Sequence, residues 1–233
     1  MKKSAFNRAS LPSRDLLLCN ALLKRGMDIA VSALLLAILL PLLAVLALLI
    51  YWQDGGPVFY RQNRLTKGGK IFQILKFRSM RPDAEQDGIP RLATENDRRI
   101  TPVGKFLRAT HLDELPQLLN VLKGDMSLVG PRPERPEFAL QYGRILPQFH
   151  ARLQVKAGLT GYAQVHGHYN SPPQEKLQMD LMYISAQSIS LDVKLLLQTL
   201  QLFWKSMCIL FQKENTKGVS AVQSAAFIKS KMH

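Results

Sequence analysis

The sequence lacks the signatures of several large enzyme classes. Its 233 residues include only two cysteines, Cys19 and Cys208, which lie far apart and form no CxxC motif. This usage argues against a disulfide framework or a zinc cluster and indicates a reducing compartment. The chain also has no GxGxxG motif, no Walker A loop and no HExxH motif. The common dinucleotide, P-loop and zinc-protease sites are therefore not expected.

Acidic residues are scarce compared with basic ones. The chain has 31 Lys and Arg against 17 Asp and Glu, which gives a net charge of +14 and a pI near 10.0. Such an excess favours an anionic partner, whether nucleic acid, anionic lipid or a phosphate-bearing substrate. Because 47% of the residues are hydrophobic, the chain is expected to fold, as one good-sized domain with an appendage.

One long apolar segment, residues 29–52, contains no charged residue. Its length predicts a membrane helix. Pro41 lies in its middle and divides it into halves of about 12 residues, or about 18 Å, each too short to cross about 30 Å of hydrocarbon. Both flanks are basic, which places both ends in the cytoplasm. The residues alone leave two topologies open, a re-entrant helix-break-helix and a single kinked span.

Local patterns predict the elements that follow the apolar segment. Residues 57–80 alternate hydrophobic and polar around a Lys-Gly-Gly-Lys turn, which indicates a β-hairpin. A polar stretch, residues 81–99, is expected to be a surface loop. Thr101 is a candidate N-cap for a short helix. The next helix is expected to start at Thr110, with Asp113 as its capping-box partner, and to stop at Gly124.

Further helices are predicted in the C-terminal half. The pattern favours helices over 136–150 and 174–185, with an irregular or strand-like segment over 155–165 between them. Residues 191–211 form an amphipathic helix whose apolar arc suits either the core or a membrane surface. Residues 212–233 lack a pattern and are expected to be a basic mobile tail.

The candidate chemistry centres on Asp113 and Glu114. Acids in the first turn of a helix often only complement its dipole, and this interpretation stays open. A carboxylate there can also bind Mg²⁺ or attack a phosphorus atom. Arg78, Arg108 and Arg132 are the candidate phosphate ligands, and prolines on both sides make Arg132 a preorganised clamp. Any one of these arginines could instead contact lipid headgroups or solvent.

Other ligand patterns carry less weight. His166 and His168 form an HxH pair without further metal ligands nearby in sequence. The positive charge is spread along the chain, and the membrane segment offers a simpler anionic partner than nucleic acid. A membrane-attached nucleic-acid binder therefore remains only an alternative, and no nucleic-acid partner is expected.

A series of motifs follows one order along residues 24–204. They are KRGMD from Lys24, a proline-broken apolar helix, KFRSM from Lys76, LRATHLDELPQLLNVLKGDMSLVGPRP from Leu107, AGLTGYAQVHG from Ala157, and KLQMDLMYI from Lys176. In this order they resemble the bacterial sugar transferase family, the small monotopic phosphoglycosyl transferases. Because a single apolar segment is present, we expect this chain to differ from larger relatives with several N-terminal spans.

The resemblance implies a function and a site. It implies transfer of a sugar 1-phosphate from a nucleotide diphosphate sugar to polyprenyl (undecaprenyl) phosphate, with Mg²⁺ as cofactor, priming exopolysaccharide or glycoconjugate synthesis. Asp113 matches the family's nucleophile and Mg²⁺ ligand, and Glu114 its dyad partner. Arg108 and Arg132 match residues that hold substrate phosphate, and Pro41 matches the helix-breaking proline. A non-catalytic membrane adaptor of a polysaccharide assembly complex is the alternative.

The expected fold is α+β and mostly helical. A basic amphipathic arm over 1–28 lies on anionic lipid, and a re-entrant hairpin over 29–52 follows. The catalytic domain, with amphipathic interfacial helices, spans 53–211, at the cytoplasmic face of a bacterial inner membrane. A homo-oligomer is compatible with this scheme.

Departures from the family's usual residues occur in the membrane hairpin and after the Pro-Arg-Pro sequence. Leu40 stands where many members have Ser, and Lys156-Ala157-Gly158 where many have Arg-Pro-Gly. Tyr162 replaces a common Trp, and residues 166–169 replace a Gly-Arg-Asn sequence. None of these changes touches the acid pair. Several fall where nucleotide or sugar recognition is expected, so the sugar is not assigned.

Overall fold

The computed structural model of the chain describes residues 14–84, 91, 94, 97–167 and 171–230, with side chains between 19 and 208 and at 212. Helices dominate, and the strands form two small sheets, which confirms the predicted α+β class. The start of the N-terminal arm, most of the loop expected over 81–99, and His168 lie outside the described residues.

The first helix, α1 (Arg14–Asp54), runs continuously through Pro41. The prediction of two helices with a break at this residue is therefore wrong at the level of secondary structure. A proline removes one backbone hydrogen bond, and the neighbouring turns of a membrane helix can absorb that loss. Residues Cys19–Asp54 are long and apolar enough to cross a membrane, and little of this stretch is buried. The re-entrant topology stays a prediction.

Contacts between α1 and the rest of the protein lie on both sides of Pro41. Towards its start, the Asp28 carboxylate accepts a hydrogen bond from the backbone N–H of Leu128 at 3.0 Å. At its end, the Gln53 side chain accepts one from the N–H of Val103 at 3.1 Å. Between them a stripe of α1 packs into an apolar cluster formed by Leu46, Ile50, Phe77, Leu107 and Leu112. Both ends of α1 therefore rest on the same body of protein.

The predicted β-hairpin is confirmed. Strands β1 (Phe59–Leu65) and β2 (Ile71–Phe77) pair antiparallel, with Leu65 opposite Ile71 next to the turn. In the turn, Gly68 and Gly69 have φ of 70° and 75°, a region that favours glycine because it lacks a Cβ.

The helix α2 (Pro102–Ala109) begins as predicted, since the Thr101 hydroxyl accepts a hydrogen bond from the N–H of Gly104 at 2.9 Å. Thr110 does not begin the next helix. It closes α2, and its hydroxyl donates to the Phe106 carbonyl at 2.8 Å. The expected capping box with Asp113 is therefore wrong, because the threonine side chain bonds back to the helix before it.

A short 3₁₀ segment, Leu112–Glu114, takes the place of the expected first helical turn, and we call it the acidic turn. The helix α3 (Gln117–Lys123) follows and ends at Gly124, whose φ of 94° confirms the predicted stop. The acid pair thus lies between two helices and not at the start of one.

A second, parallel sheet joins β3 (Ser127–Val129) to β4 (Gly158–Thr160). The chain crosses between them through α4 (Pro136–Ile145) and a 3₁₀ helix, Pro147–Gln154. The helix predicted over 136–150 therefore ends earlier, at Ile145. The segment predicted as irregular or strand-like contains β4 and the short helix α5 (Tyr162–His166).

Two further helices complete the fold. The predicted helix at 174–185 is confirmed as α6 (Pro173–Ser185). The last helix, α7 (Ile189–Ser230), continues through most of the segment that was expected to lack a pattern. One side of α7 is in the core, where Leu195 is fully buried, and another side is exposed and carries Leu197, Leu200 and Trp204.

Candidate functional site

Asp113 is held in the acidic turn by the geometry of the chain just before it. His111 has a φ of 55°, which makes it the one non-glycine residue with a positive φ in the described part of the chain. This left-handed residue reverses the chain after α2 and leads into the 3₁₀ turn. Non-glycine residues in this conformation cost about 1–3 kcal/mol and cluster at functional sites.

The Asp113 carboxylate is buried without a bonding partner. Its exposure is 7%, and within the described residues its oxygens take part in no hydrogen bond or ion pair. Burial raises the pKa of Asp113, and the charge of Glu114 adds to the rise. Lys76, Arg108 and His111 act in the opposite direction. A poorly solvated carboxylate with free lone pairs is suited to bind a cation or to act as a nucleophile.

Both carboxylate oxygens of the neighbouring Glu114, by contrast, accept hydrogen bonds. It accepts hydrogen bonds from Lys76 Nζ at 2.7 Å and from Arg132 Nη2 and Nη1 at 2.6 and 3.2 Å. Burial alone would raise its pKa, but Arg132 and Lys76 together hold the pKa of Glu114 well below its usual range. Two adjacent carboxylates with opposite pKa shifts commonly have different roles in an active site.

Arg132 combines an anchored side chain with access to solvent. Glu114 raises the pKa of Arg132, and the two hydrogen bonds to Glu114 use only part of its set of five N–H donors. The side chain is 49% exposed. It can therefore bind an incoming phosphate without releasing Glu114.

The backbone at Arg132 is fixed where the two strands of the parallel sheet come closest. We call residues 131–133 the Pro-Arg-Pro loop. The N–H of Gly158 donates to the Pro131 carbonyl at 2.9 Å. A Cβ on Gly158 would lie 2.1 Å from the nitrogen of Gly130. This close approach gives a physical reason for glycine in the AGLTG motif.

Lys76 is the site residue that sequence analysis missed. It lies on β2, its side chain is 17% exposed, and burial lowers its pKa. The KFRSM motif contains it, but only Arg78 was selected from that motif. Since side chains alternate along a strand, Lys76 and Arg78 share a face, and this signal could have found both.

Arg78 has a different partner from the acid pair. Both of its terminal nitrogens bind the carboxylate of Asp54, at the end of α1. A Cβ on Gly56 would lie 2.6 Å from Arg78 Nη1, so glycine leaves the space that the guanidinium fills. Arg78 thus joins α1 to the end of β2. Its contact with substrate phosphate stays a prediction.

Arg108 supplies a further cation. It is half-buried at the end of α2, and its charge lowers the pKa of Asp113. Within the described residues no acidic side chain pairs with it. Of the predicted arginines, the structure therefore brings Arg132 and Arg108 to the acid pair.

The carboxylate of Asp113 fits one kind of metal site, a Mg²⁺ site with few protein ligands. The described residues contain no group of three or more His, Cys, Asp or Glu side chains suited to hold a metal. His166 contacts the Tyr162 ring, with centroids 4.4 Å apart. Mg²⁺, however, commonly takes only one or two carboxylates and completes its shell with water and substrate phosphate. The buried Asp113 carboxylate, without another partner, fits that role.

Comparison with known proteins gives a consistent result. A family model described as bacterial sugar transferase matches residues 19–206. The UDP-N-acetylgalactosamine-undecaprenyl-phosphate N-acetylgalactosaminephosphotransferase of Aeromonas hydrophila is 42% identical over 184 residues, covering 78% of this chain and 43% of the relative. The UDP-glucose:undecaprenyl-phosphate glucose-1-phosphate transferase of Escherichia coli K12 is 41% identical over 185 residues, 77% of this chain and 40% of the relative.

A shorter relative matches over more of its own length. The UDP-glucose:undecaprenyl-phosphate glucose-1-phosphate transferase of Caulobacter vibrioides is 43% identical over 186 residues, 76% of this chain and 67% of the relative. The chain thus spans only about two fifths of the first two relatives. The names of these relatives share an undecaprenyl phosphate acceptor but differ in the sugar.

Proposed function

Because the chain belongs to the bacterial sugar transferase family, we propose that it transfers a sugar 1-phosphate from a nucleotide diphosphate sugar to undecaprenyl phosphate. The observation that carries this proposal is the buried Asp113 carboxylate, which lies beside several cations and has no hydrogen-bond or ion-pair partner among the residues that the structure describes. The names of the relatives support the same reaction class, and the sugar stays open.

In the first step the donor binds with its diphosphate among Arg132, Arg108 and Lys76, whose positive charges oppose its negative charge. An Asp113 oxygen attacks the sugar-bearing phosphorus. The bond from that phosphorus to the bridging oxygen breaks, and its electron pair leaves with the nucleoside monophosphate. Asp113 would also hold a Mg²⁺ ion, which when bound would neutralise charge on the diphosphate.

In the second step an oxygen of undecaprenyl phosphate attacks the same phosphorus. The bond to Asp113 breaks, and the free carboxylate is restored. Splitting the transfer into two displacements predicts ping-pong kinetics. A desolvated carboxylate suits the first step, because it attacks readily and has no hydrogen bonds that must break first.

Glu114 acts differently in this scheme. Its oxygens are held by Lys76 and Arg132, so it is not free to attack phosphorus. Its charge fixes both cations beside Asp113. We therefore assign Glu114 the role of holding the phosphate-binding cations, which sharpens the expectation that it is a dyad partner.

The placement of α1 supports a monotopic arrangement. Near its start, Arg25 donates to the carbonyls of Val121 and Leu122 at 2.6 and 2.7 Å. Near its end, Asp54 binds Arg78. A helix that crosses about 30 Å of hydrocarbon carries its ends to opposite faces. Polar contacts with one body of protein on both sides of the apolar segment of α1 instead favour a topology in which both flanks of that segment lie at the cytoplasmic face.

Cysteine labelling tests this topology. Cys19 and Cys208 are first replaced by serine, and single cysteines are introduced as Ser4→Cys and Lys70→Cys. In inside-out and right-side-out membrane vesicles, a membrane-impermeant reagent should label both positions only from the cytoplasmic face. Labelling from opposite faces would show a spanning helix and refute the monotopic arrangement.

The activity is tested with purified protein in nanodiscs that contain undecaprenyl phosphate. A panel of nucleotide sugars is supplied with Mg²⁺, and nucleoside monophosphate release is measured. We expect Asp113→Asn to lower release on the order of 10³-fold, while the matched control Asp125→Asn keeps it. Donor labelled in the sugar should label the protein covalently, and undecaprenyl phosphate should discharge it. Full release by Asp113→Asn would show that Asp113 is not the nucleophile, whereas no release by the wild type with any nucleotide sugar would favour a non-catalytic adaptor.

A further inference from the structure

A buried ion pair lies directly behind the Pro-Arg-Pro loop. Arg152, on the 3₁₀ helix after α4, is 8% exposed, and Asp180 on α6 is 2% exposed. Arg152 Nη2 lies 2.7 Å from Asp180 Oδ2. The same nitrogen donates to the backbone carbonyl of Arg132 at 2.9 Å. Sequence analysis selected neither residue.

The Pro-Arg-Pro loop has few ways to be held. A proline has no backbone N–H, so most of the backbone hydrogen bonds of this loop must be made by its carbonyl oxygens. All of these carbonyls are in fact bonded, each to a different element. The partners are Gly158 N for Pro131, Arg152 Nη2 for Arg132, and Arg64 Nη1 for Pro133, at 2.9, 2.9 and 3.0 Å.

The middle bond has a direct consequence for the site. Arg152 binds the backbone carbonyl of Arg132, and the guanidinium of the same Arg132 binds Glu114 at 2.6 Å. A shift of this backbone therefore moves the guanidinium. Misplacement of a substrate-binding group by about 1 Å can cost about 10²-fold in rate.

The ion pair is costly to keep if it only stabilises the fold. Replacing a buried ion pair by apolar side chains of similar size is often neutral or stabilising. Here Arg152 also lies 3.6 Å from Glu134, which is 26% exposed, so one buried arginine meets two carboxylates. A role in orientation gives this arrangement a physical reason.

We propose that Arg152, anchored by Asp180, is a positioning residue that holds the Pro-Arg-Pro loop so that Arg132 faces the donor phosphate. The inference rests on the proposed function, since it takes Arg132 as a phosphate ligand. Arg152 acts through the Arg132 carbonyl and not by touching substrate.

The decisive variant removes both charges together. Arg152→Met with Asp180→Leu removes both members of the buried pair, while Glu134 keeps access to solvent and the nearby charge of Arg64, so we expect its melting temperature to stay within a few degrees of the wild type. We expect its affinity for inorganic pyrophosphate with Mg²⁺, measured by calorimetry, to fall about tenfold, and the KM for the nucleotide sugar to rise accordingly. The exposed control Arg144→Met should change neither quantity.

A cycle with Arg132→Ala separates positioning from general damage. If Arg152 works through Arg132, the paired substitution should weaken pyrophosphate binding by less than about twofold in the Arg132→Ala background. Arg152→Lys retains the charge and should fold, and its partial rescue of affinity would show that the bond to the carbonyl matters.

Several outcomes would overturn the inference. They are wild-type pyrophosphate affinity in the paired variant, an equal loss in the Arg132→Ala background, and no pyrophosphate binding by the wild type. If the paired variant does not fold, Arg152→Lys takes its place in the cycle, and an equal loss of pyrophosphate affinity in the wild-type and Arg132→Ala backgrounds then overturns the inference. Failure of the proposed function is recognised separately, because the wild type would then bind pyrophosphate yet turn over no nucleotide sugar.

Discussion

The two neighbouring carboxylates should respond in opposite ways to removal of their charge. Asp113→Asn and Glu114→Gln are the same chemical change at adjacent positions. Asp113 is buried and has no bonding partner in the described part of the chain, whereas Glu114 accepts three hydrogen bonds from two cations. The first variant should stabilise the protein, and the second should destabilise it.

The magnitudes follow from these environments. Relief of a buried, unpaired charge at Asp113 should add about 1 kcal/mol to the free energy of unfolding. Loss of the Glu114 charge leaves the buried Lys76 ammonium without its partner, which costs about 3 kcal/mol. This value is at the low end of the usual range because Arg132, the other partner of Glu114, is half exposed. For a chain of this size, these values correspond to a rise of about 2–4 °C and a fall of about 6–12 °C in melting temperature.

The pH dependence gives an independent check. The pKa of Glu114 is lowered in the folded protein, so its stabilising contribution is fully present well above its unfolded pKa. That contribution is lost as pH falls through the lowered folded pKa. The deficit of Glu114→Gln should therefore be constant between about pH 6 and 8 and shrink below the unfolded pKa of about 4.5. For Asp113, whose pKa is raised, the gain of Asp113→Asn should grow as pH rises through the folded pKa.

Differential scanning fluorimetry in one detergent measures both variants against the wild type. Nucleoside monophosphate release, measured in parallel, should fall in both, since one variant loses the nucleophile and the other the anchor of two cations. Shifts of the same sign, or a melting temperature of Glu114→Gln equal to the wild type, would refute the assigned division of roles.

Other predictions test the site and its supports. Burial raises the pKa of Asp113, so acidification should begin to lower kcat/KM at a higher pH than it would for an exposed aspartate. A pH–rate profile that stays flat down to about pH 4 would contradict this. Gly56→Ala places a Cβ 2.6 Å from a buried guanidinium and should cost about 1–3 kcal/mol, whereas Gly26→Ala, in open helix surface, should be neutral or stabilising by thermal melting. In the wild type the Lys24 ammonium lies 2.5 Å from the fully buried carboxylate of Asp192. Lys24→Met leaves that carboxylate without its cation and should lower the unfolding free energy by about 3–5 kcal/mol in urea titrations. A loss under about 1 kcal/mol would refute the importance of this ion pair.

Local sequence signals predicted the elements that depend on nearby residues. The hairpin turn, the Thr101 cap and the stop at Gly124 each follow from the conformational preferences of a few adjacent residues. Thr110 was assigned to the wrong helix, because a threonine can bond forward as an N-cap or back to the preceding turn. Both options are local, and the αL conformation of His111 distinguishes them.

The site was predicted in part. Asp113, Glu114, Arg108 and Arg132 were named from motif order, and the structure brings them together. Strand alternation places Lys76 on the same face as Arg78, but only the tertiary structure decides that Lys76 is the one that meets the acid pair. Arg78 was expected at the acid pair but binds Asp54.

The sequence by itself determined the chemical inventory: a paired acid, a proline-framed arginine, a basic surface charge and an apolar helix, in an order that matches one family. Only the tertiary structure decided which carboxylate stays free. Glu114 meets Lys76 from β2 and Arg132 from the loop after β3, 38 and 18 positions away, while Asp113 is buried and meets no bonding partner within the described ranges. Burial and charge pairing between distant segments set the pKa of each acid, and neither can be read from residues adjacent in the chain.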